Sequence, residues 1–66
     1  MRVLINGKPR DLAHPLRISD LIAELGLGEK RLAVEVNGEI LPRSRHAQTS
    51  LREGDRLEIV QAIGGG

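Results

Sequence analysis

Three consecutive glycines, Gly64-Gly65-Gly66, close the sequence and directly follow the segment Val60-Gln61-Ala62-Ile63. Glycine has no Cβ and loses more backbone freedom on ordering than any other residue, so a terminal glycine run adds little to folding. Fully extended, three residues reach about 10 Å. The run therefore predicts a flexible thread, 64–66, that carries the unhindered carboxylate of Gly66 into a narrow site on another protein. Ordinary terminal disorder is the alternative interpretation.

A carboxylate is resonance-stabilised and must be activated before a nucleophile attacks it. The sequence offers no means of activation, because it has no cysteine, no GxxxxGK[ST] phosphate-binding loop and no recognisable Ser-His-Asp set. Ordering the tail in a partner's site costs about 1–2 kcal/mol per residue. We expect apolar surface beside the tail to offset that cost, and the candidates are Ile63, Ala62, Val60 and Leu41.

The chain of 66 residues is expected to form one domain, 1–63, followed by the tail. It contains no aromatic residue, so the core must be aliphatic and no stacking platform for single-stranded nucleic acid exists. A net charge of +1 is not the basic footprint of a nucleic-acid-binding module. No apolar run approaches the roughly 20 residues of a membrane span. The segment Met1–Ile5 turns polar too early for a secretory signal, which makes the cytoplasm the expected location.

The first element predicted is a β-hairpin. Met1–Ile5 alternates as a strand, and Asn6-Gly7 is a strong signal for a two-residue turn because both residues tolerate positive φ. The return strand is predicted over Pro9–Leu12. Pro9 cannot donate to a ladder, which indicates a sheet edge or a strand start.

A short helix follows the hairpin. Ser19 is the predicted N-cap, and Asp20 places a negative charge where the helix dipole favours it. Gly26 suits the left-handed position that ends a helix. The helix has one narrow apolar stripe to bury against a sheet, formed by Leu21, Ile22 and Leu25.

A second hairpin is predicted from the alternating strand Leu32–Val36, the turn Asn37-Gly38 and the short apolar piece Glu39–Leu41, which Pro42 ends. The polar stretch Arg43–Ser50 is expected to be a loop with room for one helical turn.

The last strand is predicted over Arg56–Ile63, after a tight turn at Glu53-Gly54-Asp55 and with Leu51 anchoring the preceding loop on the core. Gln61 interrupts its apolar face, which indicates either a bulge or a strand leaving the sheet. The order β-β-α-β-(β)-β gives an α+β fold, a mixed sheet of four to five strands packed on one helix.

The remaining polar residues suggest little chemistry. His14 and His46 are expected to be solvated loop residues, and no second ligand at a suitable spacing indicates a metal site. The basic cluster Arg43-Ser44-Arg45-His46 either docks an acidic patch on a partner or is a solvated loop. The charged residues around Gly54 are expected to be turn residues paired across a tight loop: Arg52, Glu53, Asp55 and Arg56.

The chain resembles the sulfur carrier proteins of thiamine (thiazole) biosynthesis, the ThiS family, which have a ubiquitin-like β-grasp fold. The resemblance covers essentially the whole chain. Its residues are the N-terminal strand with Asn6-Gly7, the segment Val34–Arg43 with its central Asn-Gly and final Pro-Arg, Leu51–Val60 around Gly54-Asp55, and Ala62–Gly66.

The resemblance implies a carrier rather than an enzyme. An E1-like adenylyltransferase would use ATP to adenylate the Gly66 carboxylate, with no cofactor bound to the carrier itself. Sulfur derived from cysteine through a desulfurase would convert the adenylate to a thiocarboxylate, and thiazole synthase would receive that sulfur. Gly64 and Gly65 would form the penetrating part of the tail. A monomer is expected, because an exchangeable carrier needs its docking face free.

Three other functions remain open. The small subunit of molybdopterin synthase uses the same terminal chemistry, but proteins of that type tend to be longer and to carry prolines before the final glycines. A ubiquitin-like modifier would form isopeptide bonds with lysines. An interaction domain with an idle tail would do neither.

Overall fold

The structure, a computed structural model, describes residues 1–13, 15–28 and 31–61. Its strands and helices are β1 (Arg2–Ile5), β2 (Lys8–Asp11), α1 (Ile18–Glu24), β3 (Leu32–Val36), β4 (Glu39–Leu41), a 3₁₀ helix (Arg43–Gln48) and β5 (Arg56–Gln61). The five strands form one sheet in the order β2-β1-β5-β3-β4. The β1–β5 pair is parallel and the other three pairs are antiparallel, so the predicted mixed sheet is confirmed.

One face of the sheet, here called the inner face, packs against α1 and builds an aliphatic core. Ile18 and Leu21 of α1 are completely buried, and alternate residues of the central strands meet them. The sheet contributes four buried side chains to this core, Val3, Val34, Leu57 and Ile59. The opposite side of the sheet, the outer face, carries no helix among the described residues.

Both predicted Asn-Gly turns are confirmed. Asn6 and Gly7 have φ of 51° and 82°, and Asn37 and Gly38 have φ of 52° and 86°. Two successive positive φ values are the signature of a type I′ turn, whose twist matches that of the flanking strands. The return strand β2 begins and ends one residue earlier than predicted, and it lies at the edge of the sheet, as Pro9 indicated.

The helix begins earlier than predicted, and Ser19 as its N-cap is wrong. The N-cap is Arg17, and the backbone N–H of Arg17 donates to Oδ2 of Asp20 at 3.2 Å. Tertiary contacts decide this start: Ile18 is buried, and its N–H donates to the carbonyl of Thr49 at 2.9 Å. The helical conformation therefore begins at Ile18, which places Ser19 inside the first turn.

The predicted helix end is confirmed at Gly26, whose φ is +75°. Its N–H donates to the carbonyl of Ala23, and the N–H of Leu27 donates to the carbonyl of Ile22, both at 3.0 Å. These two bonds form a Schellman motif, which satisfies carbonyls that the helix end would otherwise leave unpaired.

The polar stretch after β4 is more regular than predicted. Arg43–Gln48 forms a 3₁₀ helix of six residues, where a loop with one turn was expected. His46 is the buried residue of this helix. The prediction that His46 is solvated is wrong: it is 7% exposed, and its Nε2–H donates to the carbonyl of Leu41 at 3.1 Å. His14 lies outside the described residues.

No helix in the described ranges is long and apolar enough to cross a membrane.

Candidate functional site

β5, the strand that leads to the glycine tail, lies in the middle of the sheet between β1 and β3. It pairs with β3 residue for residue, from Leu57 opposite Val36 to Gln61 opposite Leu32. The bulge considered at Gln61 is therefore absent up to that residue. Gln61 is exposed, and it lies beyond Ile59, which is the last buried residue of the strand.

The tail and the two residues before it lie outside the described residues. These are Ala62, Ile63, Gly64, Gly65 and Gly66. The boundary at residue 63 and the chemistry of Gly66 therefore stay predictions.

Asn6 holds β5 to the first hairpin. Its backbone N–H donates to the carbonyl of Leu57 at 2.8 Å and continues the parallel β1–β5 pairing. Its side chain then makes the next two bonds: Oδ1 accepts from the N–H of Ile59 at 2.8 Å, and Nδ2 donates to the carbonyl of Ile59 at 3.1 Å. The amide side chain thus replaces a peptide group where the chain of β1 has already turned away.

Asn37 holds the start of β5 to the second hairpin in a similar way. Its backbone N–H donates to the carbonyl of Arg56 at 2.7 Å, and its Oδ1 accepts from the N–H of Arg56 at 3.0 Å. Its Nδ2 donates to Oδ1 of Asp55 at 3.0 Å. Both Asn-Gly turns are therefore attached to the strand that carries the tail.

The prediction for the charged residues around Gly54 is confirmed only in part: Arg52, Glu53 and Asp55 belong to the turn, which the N–H of Asp55 closes by donating to the carbonyl of Arg52, whereas Arg56 is the first residue of β5. Asp55 Oδ2 accepts from the N–H of Arg52 at 2.8 Å, and Glu53 Oε1 accepts from the N–H of Arg2 at 3.1 Å. In the part of the chain that the structure describes, these carboxylates bond to backbone and amide groups and make no ion pair with Arg52 or Arg56. Their role is to fix the turn that introduces β5.

The predicted partner-binding residues do not share one surface. Val60 lies on the outer face opposite Ala33 and is 59% exposed. Leu41 pairs with Val34 on the inner face and packs against the core. Arg43 lies on the 3₁₀ helix beside α1, also on the inner side.

Ile40 is the exposed apolar residue that the sequence interpretation missed. It lies opposite Glu35 on the outer face and is 75% exposed. The signal was present in the sequence, because a two-residue turn at Asn37-Gly38 fixes the register of the hairpin. That register puts Ile40 on the face of Glu35 and Leu41 on the face of Val34.

The outer face also carries charge. Glu35 and Glu58 lie directly opposite each other. Both side chains are negatively charged, and like charges in opposite positions destabilise a sheet. Farther along the face, Arg2 Nε donates to Asp11 Oδ1 at 2.8 Å. That hydrogen bond, helped by the positive charge of Arg2, holds the pKa of the exposed Asp11 carboxyl below its usual value.

No three acidic or histidine side chains converge as metal ligands within the described ranges. Ala33, Ile40 and Val60 lie exposed together on the outer face around β5.

Comparison with known proteins agrees with this architecture. The ThiS family model matches residues 3–66. A thiazole synthase of Paramagnetospirillum magneticum is 44% identical over 66 residues, which are all of this chain but only 20% of that protein. The chain thus spans about a fifth of the length of that curated relative.

Two relatives of similar size carry the name of a sulfur carrier protein. The sulfur carrier protein ThiS of Escherichia coli is 29% identical over 66 residues, which cover 100% of both chains. The crystal structure of the thiamine biosynthesis protein ThiS of Geobacter metallireducens superposes with a TM-score of 0.85 at 33% identity, and covers 100% of both chains. With a five-stranded mixed sheet packed on one helix and a family match over nearly its whole length, the chain belongs to the ThiS family and has its ubiquitin-like β-grasp fold.

Proposed function

We propose that this chain is a sulfur carrier for thiazole assembly, with the carboxylate of Gly66 as its reactive group. The observation that carries the proposal is the end-to-end match to the sulfur carrier protein of Escherichia coli. The 66 aligned residues are the whole of both chains, so Gly66 stands opposite the last residue of that protein.

The proposed chemistry has three steps, all performed by partners. An oxygen of the Gly66 carboxylate attacks the α-phosphate of ATP in an E1-like adenylyltransferase, and pyrophosphate leaves. The terminal sulfur of a persulfide, derived from cysteine through a desulfurase, then attacks the acyl carbon, and AMP leaves with one of the former carboxylate oxygens. A thiol reductant cleaves the S–S bond of the resulting acyl disulfide, forms a disulfide with the sulfur that leaves, and frees the thiocarboxylate. Glycine suits this position, because a side chain beside the acyl carbon would crowd the nucleophile.

The body of the chain contributes a rigid base for the tail. β5 is bonded on both sides, and two asparagine side chains secure it to the neighbouring hairpins. The exposed Ile40 and Val60 lie on the outer face, Val60 being one residue before the last described position of β5. We place the adenylyltransferase contact on this face, and Ala62 and Ile63, which lie outside the described residues, stay predicted contacts.

Thiazole synthase is the proposed sulfur acceptor. Two relatives named thiazole synthase, from Paramagnetospirillum magneticum and Magnetococcus marinus, match all of this chain over 20% of their own length. A domain of this kind that is part of the same chain as a thiazole synthase stays close to that enzyme. This favours thiazole over molybdopterin as the product of the pathway that the carrier serves. The proposal places the exchange in the cytoplasm, with the chain a monomer whose outer face is free.

The proposal is tested by intact mass spectrometry of the full chain after incubation with an E1-like adenylyltransferase, ATP and a sulfur source. We expect ATP-dependent replacement of one terminal oxygen by sulfur, and no change in a variant that lacks Gly66. That variant keeps every described contact of the domain, so far-UV circular dichroism should show the same fold.

The alternatives give different results in the same experiment. Conjugates of higher mass would identify a protein modifier. An unchanged mass, with a partner proven active on its own carrier, would leave an idle tail. Rescue of a thiazole auxotroph separates the two sulfur pathways, and rescue that persists without Gly66 would overturn the proposal.

A further inference from the structure

A cavity of about 190 Å³ lies between α1 and the 3₁₀ helix, on the inner side of the sheet and away from Val60. Three polar residues line it, Ser19, Arg43 and His46. The rest of the lining is small or apolar: Ile22, Gly28, Leu32 and Ala47.

The 3₁₀ helix brings Arg43 and His46 to the same side, because residues three apart are eclipsed in that helix. The ring of His46 is held in place by the bond from its Nε2–H to the carbonyl of Leu41. That bond fixes the tautomer, so Nδ1 of the neutral ring is an acceptor.

Nδ1 of His46 accepts no hydrogen bond from the residues that the structure describes. The described residues contain no fully buried side-chain nitrogen or oxygen that lacks a hydrogen-bond partner. Nδ1 of His46 lacks such a partner, so it is not fully buried, although the residue is only 7% exposed. Nδ1 therefore reaches accessible space, although nearly all of the side chain is buried.

The other two polar groups are also without partners in the described chain. No described carboxylate lies within ion-pair distance of the Arg43 guanidinium, and the ion pair among the described residues joins Arg2 to Asp11. The hydroxyl of Ser19, the residue that does not cap the helix, is likewise unbonded to described groups. The cavity is thus lined by residues that carry a cation, a hydroxyl and an accessible acceptor atom on a largely buried ring.

We propose that this cavity binds a small oxyanion that also carries a hydroxyl group, of the class of hydrogen phosphate or a 2-hydroxycarboxylate. The Arg43 guanidinium binds two oxygens of the anion, for which its planar fork is suited. Ser19 donates to the anion, and His46 Nδ1 accepts from the ligand hydroxyl.

The size of the cavity limits the ligand. An engineered protein cavity of about 150 Å³ holds benzene, so a cavity of about 190 Å³ accommodates a similarly small molecule. The apolar wall suits a short carbon skeleton beside the anionic group. This site uses neither the tail nor the outer face, so it goes beyond the proposed sulfur-carrier function and does not depend on it.

The test is a titration of the full chain with inorganic phosphate, and separately with glycolate, at constant pH and ionic strength. The observable is the ¹⁵N shift of the His46 imidazole, assigned with the help of the His14→Gln variant. We expect a saturable change at Nδ1 with a dissociation constant in the millimolar range. Acetate, which has no hydroxyl, should bind more weakly.

Two arginine variants provide the matched comparison. Arg43→Ala should weaken binding about tenfold, because a hydrogen-bonded charge contributes about 1.5 kcal/mol or more. Arg45→Ala removes the same charge from the same 3₁₀ helix, but Arg45 does not line this cavity, and binding should not change. Circular dichroism confirms that both variants fold.

Saturation with phosphate alone identifies a phosphate ligand, and saturation with glycolate alone identifies a hydroxycarboxylate. A shift that never saturates, or equal losses in the two arginine variants, would show only general charge screening and would overturn the proposal. Equal affinity for acetate and glycolate would overturn the role assigned to Nδ1.

Discussion

At the scale of single residues, Asn6 and Asn37 do two things at once. Each takes the positive φ that a type I′ turn requires, and each bonds β5 through its side-chain amide. The first role is predictable from the dipeptide Asn-Gly alone. The second is not, because the bond from Asn6 to Ile59 joins residues 53 positions apart and depends on which strands become neighbours.

Substitutions at Asn6 separate these two roles. Asn6→Gly keeps the turn conformation and loses two side-chain hydrogen bonds, so we expect a loss of about 1–3 kcal/mol in unfolding free energy. Asn6→Ala loses the same two bonds and also places alanine, which tolerates positive φ less well than glycine, at this position. That strain costs about 1 kcal/mol more. Urea denaturation followed by far-UV circular dichroism measures both, since the chain has no aromatic residue for fluorescence.

The order wild type, then Gly, then Ala is the expected ranking of stability at Asn6. A glycine variant as stable as the wild type would show that the bonds to Ile59 contribute nothing. An alanine variant as stable as the glycine variant would show that positive φ at position 6 costs alanine nothing.

At the scale of elements, the sequence predicts what local patterns determine. The alternation in Leu32–Val36 gives β3 with its bounds and faces correct, and Gly26 gives the helix end. The helix start is wrong, because burial of Ile18 and its bond to Thr49 override the capping preference of Ser19. These contacts come from a segment some thirty residues away, which no local pattern reports.

For the residues of the candidate site, too, local patterns predict some positions and tertiary contacts decide others. Val60 is correctly expected on exposed surface, whereas Leu41 is drawn into the core by its pairing with Val34. The sequence predicts His46 as a solvated loop residue, whereas the 3₁₀ helix places it against the carbonyl of Leu41. Its burial depends on a tertiary contact between that helix and α1.

The helix start provides the second stability prediction. Asp20→Ala removes both the acceptor for the Arg17 N–H and the negative charge in the first turn, so we expect a loss of about 1 kcal/mol. Ser19→Ala is the matched control and should change stability by less than about 0.5 kcal/mol. Urea titrations of both variants check this, and a greater loss at Ser19 than at Asp20 would restore Ser19 as the cap.

At the scale of the whole molecule, the two sides of the sheet differ in how much apolar surface they bury. The inner face and α1 supply the aliphatic core, whereas the outer face leaves Ile40 and Val60 in solvent. A domain of this size has a total stability of only about 3–10 kcal/mol. Apolar residues that contribute little to that stability are therefore available for contact with a partner.

Serine substitutions on the outer face test that division. Ile40→Ser and Val60→Ser should leave the urea midpoint nearly unchanged, because both side chains are already exposed. Each should slow thiocarboxylate formation about tenfold if it contributes about 1.4 kcal/mol to docking of the adenylyltransferase. Initial rates from intact mass spectrometry measure this at partner concentrations below saturation.

Two controls accompany the serine variants. Lys8→Ser changes an exposed residue on β2, at the far edge of the sheet, and should leave the rate unchanged. Leu57→Ala changes a buried residue of β5 and should lower stability by about 2–5 kcal/mol. Unchanged rates in both serine variants would move the contact away from the outer face.

The central position of β5 has a mechanical consequence. Any pull on the tail enters the domain at Gln61 and runs along the axis of β5. The ladder bonds to β1 and β3 lie across that axis, so they are loaded in shear and must yield together rather than one after another. An edge strand bonded on one side only would have fewer bonds to resist the load. If the tail is drawn into a partner's site, as the proposed function requires, this arrangement keeps the domain folded under that load.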